Sequence, residues 1–199
     1  MEITTFLSFL EKTEKLKCNT RHSWTSTGRH ESVAEHSWQL ALMAYLLKDE
    51  FPELDISKVM LMGLVHDFGE AITGDIPAFE KTGEDEKTED AAVRSLLSVL
   101  PEEHQQELTG LFAEMNAMET GEAKLYKALD KLEALIQHNQ ADISTWLPLE
   151  YDLQMTYGTK ECSFCEYMEQ LRERVREDSR RKIAEQSGNS ADADIRNEV

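Results

Sequence analysis

The 199-residue chain has only 4 prolines and 9 glycines, too few breakers for a fold of many short strands and tight turns. Its 3 cysteines are an odd number, which argues against a disulfide framework. No uninterrupted apolar run reaches the roughly 18 residues that a bilayer span requires, so no transmembrane helix is expected. The N-terminus lacks a basic segment followed by an apolar core, so no secretory leader is expected either. These absences make the cytoplasm the expected compartment. Basic residues are also scarce: 21 Lys plus Arg stand against 39 Asp plus Glu, a net charge of −18. A polymeric nucleic acid would meet net repulsion and few counterion-releasing contacts, which excludes it as an expected partner. A small phosphate ester differs, because a metal ion and one or two arginines can reverse the sign locally. Lys12, Lys15, Lys17, Arg21 and Arg29 give the first 30 residues a local excess of positive charge over Glu2, Glu11 and Glu14.

What is present is helical periodicity. Ile3, Phe6, Leu7, Phe9, Leu10 and Leu16 predict an amphipathic first helix over Met1–Lys17, and the polar, aromatic stretch Cys18–Glu31 reads as a loop. Ser32-Val33-Ala34-Glu35 has the form of a capping box and predicts a helix running to Phe51-Pro52. Asp55 is a candidate N-cap for a helix so evenly apolar, from Val59 to Val65, that it must be buried; it is expected to end near Gly69. Thr73-Gly74-Asp75-Ile76-Pro77 reads as a turn, and Gly83–Asp90 as an exposed acidic loop leading into a helix that stops at Pro101. Further helices are expected over Glu102–Met118, from Gly121 to Pro148, and over Ser163–Ala184. The expectation is an all-α bundle of about six to seven helices over residues 1–185, with a disordered tail over 186–199.

One stretch carries chemistry: Leu64-Val65-His66-Asp67-Phe68-Gly69-Glu70. An imidazole beside a carboxylate suits one divalent ion such as Mg²⁺, Mn²⁺, Co²⁺, Fe²⁺ or Zn²⁺. A metal needs at least two more donors, and His36 and Asp130 offer themselves from neighbouring apolar helices. Taken singly each has a plain explanation: His36 as a hydrogen-bonded helix-end residue, Asp130 as an ion-pair partner of Lys127 or Lys131. A metal site explains all four residues together. Glu70 follows at helical spacing and can take a proton through a water, and Arg21 can offer bidentate donors to phosphoryl oxygens. Cys162 and Cys165 have C-x-x-C spacing but lack a second Cys or His pair, so they read as ordinary thiols. Neither a P-loop nor a G-x-G-x-x-G loop occurs. His104 and His138 read as structural, whereas His22 and His30 could approach a pocket.

The motifs Glu31-Ser32-Val33-Ala34-Glu35-His36, His66-Asp67-Phe68-Gly69-Glu70 and Thr73-Gly74-Asp75-Ile76-Pro77, in this order, resemble those of HD-domain metal-dependent phosphohydrolases. The bacterial 5′-deoxynucleotidase group and its eukaryotic relatives are the most similar branch, with the resemblance covering about Phe6–Tyr151. It implies that His36, His66, Asp67 and Asp130 hold the divalent ion and that Glu70 orients or deprotonates the attacking water. It further implies that Arg21 sits near the phosphate, that Asp75 contacts the sugar of a nucleotide, and that the protein is a homodimer. In that group a tryptophan directly follows the arginine. Here His22 follows Arg21 and Trp24 comes three positions after it, so Trp24 is the candidate sugar contact and ribose and deoxyribose both stay open. Two alternatives also stay open: an HD phosphohydrolase for a triphosphate, cyclic or sugar phosphate ester, and a non-catalytic, metal-stabilised helical binding protein. The spare carboxylate of Glu70 separates the last from an enzyme.

Overall fold

A computed structural model describes residues 1–197, and side chains through residue 186. In chain order the elements are α1 (Ile3–Thr13), α2 (Lys15–Cys18), β1 (Thr20–Trp24), β2 (His30–Ser32), α3 (Val33–Leu46), α4 (Ile56–Val65), α5 (Glu70–Thr73), α6 (Gly83–Leu97), α7 (Glu102–Ala117), α8 (Gly121–Gln140), a 3-10 turn (Ile143–Thr145), α9 (Pro148–Thr156), α10 (Thr159–Cys162) and α11 (Glu166–Asn197). The all-α expectation holds, with more helices than the six or seven foreseen and one two-stranded hairpin, β1–β2, where a loop was expected. The expected tail over 186–199 lies, for its side chains, outside the described residues, and α11 is helical through Asn197 rather than stopping near Ala184.

Two compact units are distinguished, one comprising Met1–His22 with His30–Asp130, the other Ser23–Arg29 with the chain from Lys131 onward. In the first unit, the capping box sets the phase of α3: Glu35 N donates to Ser32 Oγ at 3.2 Å, and Ser32 N donates to Glu35 Oε2 at 2.8 Å. Asp55 caps α4 by accepting from Lys58 N at 3.1 Å. These two helices can approach closely because residue 63 has no side chain. A Cβ there would stand 2.3 Å from Leu40 Cδ2, and Leu40, Ala44, Val59 and Met62 are fully buried.

The structure corrects several helix ends. α4 stops at Val65, and the chain from Phe68 to Ile72 bonds three residues back: Phe68 N to Val65 O, Glu70 N to Asp67 O, Ala71 N to Phe68 O and Ile72 N to Gly69 O. This is 3-10 winding, in which residues three apart eclipse. Gly69 lets this turn sit against α6, since a Cβ there would lie 3.0 Å from the backbone oxygen of Glu89. The expected acidic loop over 83–90 is instead the start of α6. Thr82 and Asp85 form a capping box at 3.4 and 2.9 Å, and Glu84, Asp85 and Glu86 in the first turn complement the helix dipole.

In the second unit, Thr25 N bonds Arg29 O at 2.7 Å around a turn in which Gly28 takes φ of 78°, and Gln137 Nε2 donates to Trp24 O at 2.6 Å. Pro148 begins α9 rather than ending the preceding helix, because a first-turn residue needs no N–H. Buried Arg172 on α11 donates to Tyr157 O and Gln154 O, each at 2.8 Å, and so satisfies carbonyls at the end of α9.

Gly63→Ala should force Leu40 from its rotamer or spread α3 from α4. At about 1–3 kcal/mol for overpacking, the expected fall in Tm is roughly 3–10 °C for a chain of this size. Thermal denaturation followed by circular dichroism checks it, and an unchanged Tm would show that the contact is not tight.

Candidate metal centre

The close approach of α3 and α4 brings imidazoles from different helices together edge to face, their planes 63° apart. His36, fully buried in the first turn of α3, has its Nε2 3.2 Å from Nε2 of His66 at the end of α4. His66 Nδ1 lies 2.9 Å from Gly63 O, so Nδ1 carries the proton and Nε2 turns a lone pair to the centre. Asp67 Oδ2 is 3.1 Å from His66 Nε2 and 3.9 Å from His36 Nε2. Asp130, on α8, completes the set, with Oδ1 3.3 Å from His36 Nε2 and 3.7 Å from His66 Nε2. Ligands bound at about 2.0–2.2 Å around one ion stand roughly 3.0–4.3 Å from each other. The separations of His36 Nε2 and His66 Nε2 from each other and from the two carboxylate oxygens all fall in that range, so the donor set fits a divalent ion.

The surroundings are arranged by charge. Asp130 Oδ2 accepts from Lys127 Nζ at 2.9 Å, leaving Oδ1 for the centre, and Asp130 in turn raises the pKa of the Lys127 ammonium, which therefore stays charged. Arg21 Nε is 3.4 Å from buried Glu31 Oε2, and its Nη1 is 4.0 Å from Asp67 Oδ2. Burial opposes ionisation of Asp67, yet His66, His36 and Arg21 outweigh it and hold its carboxyl well below the usual carboxylate range.

Glu70 has the opposite balance. Burial, then the charges of Asp67, Asp75 and Glu89, push its carboxyl up to about 9. Its Oε2 is buried with no hydrogen-bond partner among the described residues, while Asn19 Nδ2 donates to its backbone oxygen at 2.5 Å. Burial also raises Asp75. Glu70 follows Asp67 by three residues, and its backbone N–H donates to Asp67 O at 2.9 Å. Glu89 was not foreseen, because residues 83–90 were read as a loop. Asp67, Glu70 and Glu89 offer carboxylate oxygens within 4.8 Å of one another, and Lys81 pairs with Glu89. The signal lay in Thr82-x-x-Asp85: a helix started there carries Glu89 on the same face as buried Val93 and Leu96.

Of the predicted residues, His36, His66, Asp67 and Asp130 come together, with Arg21, Glu70 and Asp75 around them. Trp24 belongs to the second unit. Among the described residues no helix is long and apolar enough to cross a membrane.

A carboxyl with its pKa raised by folding is destabilising once deprotonated. Glu70 therefore costs nothing below its ordinary 4.5 and an increasing amount as pH rises from there toward about 9. In chelator-treated protein Glu70→Gln should raise Tm relative to wild type at pH 8 and much less at pH 5. Calorimetry at both pH values checks this; an equal effect at both would mean that Glu70 ionises normally.

Comparison with known proteins returns a consistent picture. A family model described as HD domain matches residues 13–172. A 5′-deoxynucleotidase of Bos taurus is 35% identical over 138 residues, covering 67% of this chain and 66% of that protein, so the match spans just under two thirds of the relative. The human 5′-deoxynucleotidase is 33% identical over 138 residues, 67% of each chain. The crystal structure of a predicted metal-dependent phosphohydrolase from Magnetospirillum magnetotacticum MS-1 superposes with a TM-score of 0.76 and 27% identity, covering 90% of this chain and 93% of that one.

Proposed function

The chain belongs to the HD domain family, and on that premise we propose that it is a metal-dependent phosphohydrolase releasing phosphate from (deoxy)nucleoside 5′-monophosphates. The observation that carries the reading is the convergence of four donors beside the Glu70 carboxyl, whose buried Oε2 has no hydrogen-bond partner among the described residues. His36, His66, Asp67 and Asp130 hold the ion, and Lys127 keeps Asp130 turned toward it. A divalent ion there supplies Lewis acidity toward the phosphoryl group and positive charge beside Asp67. With that charge present Glu70 would be ionised despite its burial and the neighbouring carboxylates, and could accept the proton of the attacking water. Arg21 donates to non-bridging phosphoryl oxygens, and Asp75 accepts from a sugar hydroxyl. A purely structural metal site has no use for Glu70, whose burial without a partner costs stability. The 5′-deoxynucleotidase names of the relatives support a mononucleotide over other phosphate esters.

One kinetic matrix tests this: AMP, dAMP and p-nitrophenyl phosphate, assayed with each of Mn²⁺, Co²⁺, Mg²⁺, Fe²⁺ and Zn²⁺ after chelator stripping. Asp67→Ala should lose both metal and activity. Glu70→Gln should keep the four-donor ion while kcat falls by about 10²–10⁴; loss of that ion would make Glu70 a ligand. Arg21→Ala should lower kcat/KM on all three esters, and Asp75→Ala should abolish discrimination between sugars. Equal efficiency on all three, untouched by Asp75→Ala, would leave a general phosphatase.

We further propose a homodimer working in the cytoplasm. Ile3, Phe6, Leu7 and Leu10 form an exposed apolar stripe on α1 that a symmetric copy would cover, and three free thiols suit a reducing compartment. Light scattering should give twice 22.8 kDa; a monomer at micromolar concentration would overturn the dimer.

A further inference from the structure

A second concavity lies in the first unit, between α1, α2, α5 and α6, and Glu70 does not line it. Ser8, Lys12 and Lys15 line it from α1 and α2, Ala71 and Ile72 from α5, and Ser95 and Leu96 from α6; the recess is about 390 Å³. Residues 8, 12 and 15 follow i, i+4, i+7 spacing, so their side chains rise from one strip of the helical segment. Neither Lys12 nor Lys15 has an ion-pair partner among the described residues. Glu11 also borders the recess, leaving a net excess of one positive charge there in a chain of net charge −18. Two serine hydroxyls add donors, the floor is apolar at buried Leu96, and Ile72 stands more than half exposed at 57%.

Two ammonium groups with hydroxyls beside an apolar wall match an amphipathic anion. The phosphate dianion is recognised by the lysines and serines, and a flat apolar group by Ile72 and Leu96. The size separates two sources of the phosphate. Inorganic phosphate would fill a small part of the recess and leave Ile72 wet, whereas ligand pockets of roughly 300–1,000 Å³ hold molecules of nucleotide size. We propose that this recess is a second binding site, distinct from the metal centre, for a nucleoside phosphate. Its wall is the four-residue helix that begins with Glu70, so an occupant touches the immediate neighbours of that carboxylate. The apolar stripe of α1 lies on the opposite face of that helix, so dimer formation through it leaves the recess open.

The test counts binding equivalents on the full-length, metal-loaded protein. The probe is the 5′-phosphonate analogue of AMP, whose C–P bond the enzyme does not hydrolyse, and equilibrium dialysis is the readout. The double variant Lys12→Glu/Lys15→Glu alters two exposed side chains that belong neither to the metal ligands nor to the residues proposed to bind the substrate, and should keep wild-type hydrolysis of p-nitrophenyl phosphate. It should bind one equivalent fewer than wild type. Lys12→Ala/Lys15→Ala should weaken the same site about tenfold or more, and added salt should weaken it further. The difference of one equivalent stands whether or not the metal centre binds nucleotides, so failure of the proposed activity and failure of this site are separable. Equal numbers of equivalents in wild type and both variants would overturn the site. Inorganic phosphate displacing the probe from it at equal concentration would overturn its assignment to a nucleoside phosphate.

Discussion

Everything in the first unit hangs on how closely α3 and α4 can pack. His36 and His66 are 30 positions apart, and their Nε2 atoms meet at 3.2 Å only because Leu40 occupies the space a side chain at residue 63 would take. Gly63 acts twice. Its missing Cβ lets the helices approach, and its carbonyl, 2.9 Å from His66 Nδ1, selects the tautomer that aims a lone pair inward. The capping box at Ser32 and the Asp55 cap fix where each helix starts, and hence which face carries each histidine. Packing, capping and tautomer thus converge on one point without any residue of the centre having to stabilise the fold by itself.

Charge completes what packing begins. Two inward-facing imidazole nitrogens and two carboxylates repel one another unless a cation or protons lie among them. The protein supplies cations at the edge of the cluster, Arg21 on one side and Lys127 on the other, each anchored by a carboxylate. Lys81 on Glu89 repeats the arrangement near Glu70. Lys127 takes one oxygen of Asp130 and leaves the other facing the centre, so the donor set stays electron-rich. Glu70 registers that imbalance, since its carboxyl stays protonated unless positive charge arrives next to it.

Much of this was legible in the sequence because it depends on local rules. Ser32 with Glu35, Asp55, and the apolar run before His66 each point to a helix and its start, and the residue types at 36, 66, 67 and 130 suffice to nominate a divalent ion. What escaped was set by tertiary context. Residues 18–31 lack alternation, and their hairpin closes around a glycine turn held by Thr25 and Arg29 rather than by apolar pattern. Pro148 reads equally as a stop or a start, and only the position of its neighbours makes it the first residue of α9. Glu89 was hidden because an acidic stretch looks solvated until the cap at Thr82 is seen to fix the helix phase. Glu70 was placed three residues from Asp67 and four from His66, and the chain there tightens to bonds running three residues back.

That tightening has consequences beyond register. Bonds running three residues back hold their groups less well aligned than α-helical bonds, so α5 is a short, lightly held element carrying a buried ionisable group. Its backbone is fixed from outside instead, by Asn19 on the oxygen of Glu70 and by the contact of Gly69 with Glu89. A carboxylate mounted this way can change its distance from Asp67 by a small rotation of one turn, without moving α3 or α4. The metal donors therefore sit on long, capped, closely packed helices, and the group that must exchange a proton sits on the segment best able to yield. The same segment, through Ala71 and Ile72, also lines the recess bounded by Lys12 and Lys15.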